Sequence, residues 1–191
     1  MKFKMNARTI SRQAIIAALY AVITMSGFGL SYGPVQFRYS ELMTWLAFWD
    51  PKNIIGLSVG CFIANITSPY GIIDMVVGTT GTLLATLLMA RSKTKLVASV
   101  WPAFFAFLYS GQALFLGEIT SDIYLLVTGQ IMLSQFIIVG VIGIPVAILL
   151  ERNKTVMDLI VDRTMLPTKE TWTGQTEPTR DYQEKPRWSE K

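Results

Sequence analysis

The sequence contains no histidine and a single cysteine, Cys61, which lies inside an apolar run. A disulfide within the chain is excluded, and so are zinc and haem sites that depend on imidazole. Charge is also scarce: 16% of residues are charged, against about 25% in ordinary soluble domains. The scarcity is concentrated in one region. Between Phe28 and Leu150, a span of 123 residues, there are five Lys or Arg and five Asp or Glu. The last 41 residues hold eight of the seventeen basic and eight of the thirteen acidic residues. A soluble domain needs charge over its whole surface, so this composition describes a membrane domain followed by a polar tail. The net charge of +4 does not imply a nucleic-acid partner, because the basic residues gather at the ends of apolar segments. The phosphate-loop pattern G-x-x-x-x-G-K-[ST] is absent.

What is present is a series of apolar runs. A membrane-spanning helix needs about 20 mainly apolar residues, and six candidates occur, over 10–28, 39–50, 53–67, 70–90, 95–117 and 121–150. The second and third are short, and "WDPKN" separates them through Pro51. "TSPYG" parts the third from the fourth through Pro69 and Gly71. The N-terminal stretch imitates a signal peptide but has no convincing cleavage site, which predicts a retained first transmembrane helix. The tail divides in two. An amphipathic interfacial helix is expected over 153–166, with Val156, Leu159 and Ile160 at helical spacing. Residues 167–191, rich in Thr, Glu and Pro, read as a disordered cytoplasmic tail.

Loop charges give an expected orientation. Lys2, Lys4, Arg8 and Arg12 precede the first segment, Lys52 follows the second, "RSKTK" follows the fourth and "ERNK" follows the sixth. The alternate loops carry only Arg38 and the acids of "GEITSD". The positive-inside rule then places both termini in the cytoplasm. The expectation is an all-α integral membrane protein of six transmembrane helices within residues 1–152.

Depth follows from position, at about 1.5 Å per helical residue. Arg38 and Glu41 open the second segment, Asn65 ends the third, and Asp74 lies just inside the fourth. Tyr109 and Gln112 fall in the outer half of the fifth segment, and Gln130 and Gln135 in the upper half of the sixth. Polar groups of five segments thus share one outer layer, while the inner layer of segments 1 to 4 shows almost none. Each has a bland reading: Arg38 as an interfacial anchor, Glu41 as its i,i+3 partner, Asn65 as a helix cap, the glutamines as bridges between helices. Asp74 resists one, because a carboxylate inside an apolar helix is costly. Together they favour a pocket open to the outside. Carboxylates, a guanidinium, amides and aromatics suit a planar heterocycle with several N–H groups, cationic or neutral.

Small residues form a second pattern. Ala14 and Ala18, with Ala17 and Ala21, recur at four-residue spacing on the first segment, and Gly56 and Gly60 on the third. Such faces let helices approach closely, within the bundle or against a partner.

"FRYSELMTWLAF" followed by "GLSVGCFIANITSPYGIIDMVVGTTGTLLATLL" resembles the QueT family over roughly residues 10–152. The R-x-S-E, G-C-x-x-A-N and G-x-x-D blocks carry the likeness. The family comprises S components (substrate-binding subunits) of energy-coupling factor (ECF) transporters assigned to queuosine precursors. The resemblance implies that residues 1–152 form a six-helix substrate-binding domain, without cofactors, in the cell membrane of a prokaryote, which takes up a deazaguanine base, in aminomethyl or cyano form, or queuine. It implies that Ala14, Ala17, Ala18 and Ala21 dock on a T component, and that two partner ATPases hydrolyse ATP. The family often carries acidic residues on the fifth and sixth helices, near the places where this chain has Gln112 and Gln135. A self-sufficient secondary transporter, with Glu41 and Asp74 relaying protons, is the alternative from another class. The chain is short for it and shows no inverted halves. A membrane enzyme lacks any nucleophile or metal constellation.

Overall fold

The computed structural model describes residues 6–27 and 37–161. The expected tail over 167–191 lies outside them, as do residues 162–166. Every regular element among the described residues is helical. Helix α1 (Ala7–Ser26) begins at Asn6, whose side chain accepts from Thr9 N at 2.7 Å and so meets one of the open N–H groups of the first turn. A 3₁₀ turn (Tyr39–Thr44) runs into the short α2 (Trp45–Trp49), and together they replace the expected second segment. Helix α3 (Asn53–Asn65) follows Pro51, and α4 (Gly71–Arg91) follows Pro69. Gly71 enters α4 at φ +60, a left-handed value that glycine adopts without strain.

The fifth segment is two helices, α5 (Lys95–Phe104) and α6 (Ala106–Phe115). Pro102 explains the break: it lacks an N–H and its ring crowds the carbonyl four residues earlier. The sixth segment is α7 (Tyr124–Gln135), a π-helical stretch (Phe136–Ile142) and α8 (Gly143–Arg152), followed by the short α9 (Lys154–Ile160). The π stretch frees backbone to serve a neighbour, and Trp45 Nε1 donates to Val139 O at 3.1 Å.

Among the described residues, four spans are long and apolar enough to cross a membrane: Ala7–Ser26, Gly71–Arg91, Lys95–Phe115 and Tyr124–Arg152. Asn53–Asn65 is apolar but shorter. Large apolar side chains cover the exterior, among them Ile72, Val76, Leu125, Leu133 and Leu149, as lipid contact requires.

Helix α1 makes its widest contact with α3. A Cβ added at Gly60 would lie 2.7 Å from Ala17 O, and one at Gly56 2.8 Å from Gln13 O. The two backbones therefore touch through glycine. This contact divides the predicted alanine face. Ala17 and Ala21 are buried against the bundle, whereas Ala14 and Ala18 are exposed beside Ile15, Leu19 and Val22.

The Asn53 end of α3 is more polar than the sequence pattern suggested. Gln13 Nε2 donates to Asn53 Oδ1 at 3.1 Å, and Gly56 N donates to Gln13 Oε1 at 3.0 Å. Asn53 Nδ2 donates to Leu46 O and to Ile160 O. Arg12 pairs with Asp50 at 3.2 Å and donates to Ile160 O at 3.0 Å. Helix α9 is thereby held to the bundle, with Met157 fully buried and Leu159 exposed. Lys95 and Trp49 both reach Glu151.

Candidate functional site

Around the opposite end of α3 lie five of the predicted site residues, Arg38, Asn65, Asp74, Tyr109 and Gln112. Asp74 lies in the first turn of α4, where the helix dipole favours a negative charge. It is completely buried. Three elements converge on it. Arg38, at the head of the 3₁₀ turn, places Nη2 3.5 Å from Asp74 Oδ2. Gln112 of α6 donates from Nε2 to Asp74 Oδ1 at 3.3 Å, and Asn65 at the end of α3 donates from Nδ2 to Asp74 O at 3.1 Å. The Arg38 guanidinium carbon lies 5.6 Å from the centre of the Tyr109 ring, a cation–π distance. Arg38, Asn65, Asp74, Tyr109 and Gln112 thus form one buried cluster.

Glu41 shares the 3₁₀ turn with Arg38, and its N–H donates to Arg38 O at 3.2 Å. Its side chain turns to a different partner: Tyr20 Oη donates to Glu41 Oε1 at 2.8 Å. In place of the bland i,i+3 pairing stand two separate contacts, Arg38 to Asp74 and Glu41 to Tyr20. Gln135 is buried at the junction of α7 and the π stretch, with no hydrogen bond linking it to the cluster. Gln130 is on the exposed face of α7, apart from the others.

Tyr20, Cys61 and Thr82 belong to the neighbourhood although sequence reasoning passed over them. Cys61 Sγ lies 3.3 Å from Thr82 Oγ1 and 3.5 Å from Asn65 Nδ2. Glycine makes the room. A Cβ at Gly78 would overlap Asn65 Nδ2, and one at Gly81 would lie 2.8 Å from Tyr109 Oη. The place of Tyr20 one turn after Ala17 on α1, and the G-x-x-G of α4, were the available signals.

The cluster leaves acceptors unmet. Asn65 Oδ1, Gln112 Oε1 and Gln135 Oε1 are buried and have no hydrogen bond among the described residues. Asp74 Oδ2 holds the ion pair with Arg38 but accepts no hydrogen bond among the described residues. Each buried, unmet polar atom costs about 1–3 kcal/mol. A ligand that brought N–H groups would recover that cost. No group of three or more Cys, Asp or Glu among the described residues could hold a metal ion.

A groove of about 930 Å³ lies elsewhere, between α1 and α9. Arg8, Arg12, Ile15, Leu19, Met43, Leu46 and Leu159 are among its walls, and it includes no residue of the cluster.

Comparison with known proteins agrees with this membrane architecture. A family model described as QueT transporter matches residues 10–152. A curated protein of Lactococcus lactis subsp. cremoris (strain MG1363), the Queuosine precursor transporter QueT, is 43% identical over 86 residues. That match covers 42% of this chain and 50% of the relative, so the chain spans about half the length of the curated relative. No solved structure matches. With apolar helices long enough to span a bilayer and a family match over most of its length, the chain is a membrane protein that belongs to the QueT transporter family.

Proposed function

We propose that this chain is the substrate-capturing subunit of an ATP-driven ECF-type importer of queuosine precursors, coupled to a T component and two ATPases. It crosses the membrane six times, the short α2 and α3 completing the set, and takes its ligand from outside. Family membership and the name of the Lactococcus relative support the ligand class. One observation carries the reading: beside the buried Arg38–Asp74 ion pair, Asn65 Oδ1 and Gln112 Oε1 accept no hydrogen bond among the described residues. A deazaguanine base presents adjacent ring and exocyclic N–H groups, which such acceptors suit, and Tyr109 offers an aromatic face.

The proposed orientation follows from charge. Arg12, Lys52 and Lys95 all belong to the Asn53 end, which the positive-inside rule assigns to the cytoplasm. The Asp74 cluster then faces outward. Docking is assigned to the exposed pair Ala14 and Ala18, beside the groove between α1 and α9. An unbulky exposed face gains nothing from lipid and suits a close partner helix. Ala14→Trp or Ala18→Trp should leave ligand binding by the isolated subunit intact and abolish ATP-driven uptake in vesicles. Uptake by the isolated wild-type protein under a proton gradient would overturn this reading in favour of a secondary transporter.

A further inference from the structure

The buried charges of the site do not cancel. Arg38 is balanced by Asp74 at 3.5 Å. Glu41, 2% exposed, forms no ion pair among the described residues, and its carboxylate accepts one hydrogen bond there, from the neutral Tyr20 hydroxyl. No other cation among the described residues stands near. Lys52 opens the far end of α3, Lys95 is taken by Glu151, and Arg91 ends α4 seventeen residues beyond Asp74, about 25 Å along the helix. The layer formed by Arg38, Asp74 and Glu41 therefore carries one negative charge too many. An unbalanced carboxylate in such a setting is strongly disfavoured, so either a cation or a proton must accompany it.

We infer that the ligand supplies the cation: a protonated amine on the heterocycle sits against Glu41, while its ring N–H groups meet the amide acceptors. The inference rests on the proposed ligand class and sharpens it. The site selects the aminomethyl form of the deazaguanine base, which is charged, over the cyano form, which is neutral and similar in size. Tyr20 keeps the Glu41 carboxylate aimed by holding Oε1, leaving Oε2 for the ammonium group. Were Glu41 to hold a proton instead, a neutral ligand would serve equally well, and a glutamine would imitate the protonated acid.

Calorimetry in detergent, with the wild-type protein and the Glu41→Gln and Glu41→Asp variants, decides the matter using both bases as probes. The expected result is a wild-type preference for the aminomethyl base of about 10- to 100-fold, the value of a charge-assisted hydrogen bond. Glu41→Gln should erase that preference by weakening the aminomethyl base alone, and Glu41→Asp should restore part of it. Equal wild-type affinities for the two bases, or equal losses for both in Glu41→Gln, overturn the inference. If Glu41→Gln fails to fold, the wild-type comparison and Glu41→Asp still decide it. Binding of neither base by the wild-type protein would instead overturn the ligand class itself, an outcome separate from equal binding of both.

Discussion

Helix α3 carries an asparagine at each end, and the two are used differently. At Asn53 every amide atom is engaged: Oδ1 accepts from Gln13, and Nδ2 donates to Leu46 O and Ile160 O. Gln13 is complete as well, since its Oε1 accepts from Gly56 N. At Asn65, and at Gln112 facing it across Asp74, the nitrogen donates but the oxygen meets nothing among the described residues. Both ends are buried. A polar network that only holds helices together can close on itself, and evolution loses nothing by closing it. One that must receive a solute has to keep some of its capacity unspent. The difference between the two ends is thus a difference between joint and receptor.

The largest expected effect breaks the comparison at the receptor end. Asp74→Asn leaves the Arg38 guanidinium without its carboxylate and should weaken ligand binding by on the order of 3–5 kcal/mol, read by calorimetry. At the joint end, Asn53→Ala should lower unfolding stability in detergent by about 2–3 kcal/mol, because Gln13 and Ile160 O lose buried partners. Its ligand affinity should stay near that of the wild type. If Asn53→Ala weakened binding as much as Asp74→Asn, the division of labour would be lost.

Glycines sharpen the same contrast with smaller effects. Gly60→Ala forces a methyl against Ala17 O and should cost roughly 1–3 kcal/mol of stability, measured by thermal unfolding. Gly81→Ala crowds Tyr109 Oη instead and should reduce ligand affinity more than stability. The smallest effect is expected at Gln130, exposed on α7. Gln130→Ala should change both affinity and stability by no more than about 0.5 kcal/mol.

Much of this architecture was legible in the chain because proline and charge mark helix ends. Pro51 and Pro69 bound α3, and the expected starts of α3, α4 and α5 fall within a residue of those observed. The 3₁₀ turn and the π stretch were not legible, since both depend on contacts distant in sequence, such as Trp45 to Val139. At the site, the cost of buried charge marked Arg38, Glu41 and Asp74 correctly as buried residues. Partner choice was hidden: adjacent residues on one turn suggested Arg38 with Glu41, while tertiary packing put Asp74 and Tyr20 in reach. Gln130 and Gln135 stand five residues apart, about 140° around a helix, so they cannot share a face. The polar joint at Asn53 escaped notice because a glutamine and an asparagine near helix ends look like interface residues until both are seen to meet.

The most direct test is a structure of the protein bound to the aminomethyl deazaguanine base. The receptor account predicts ligand N–H groups within hydrogen-bond distance of Asn65 Oδ1 and Gln112 Oε1, with the Asn53 and Gln13 amides unchanged. Ligand density confined to the groove between α1 and α9, with those two oxygens still unmet, would contradict it.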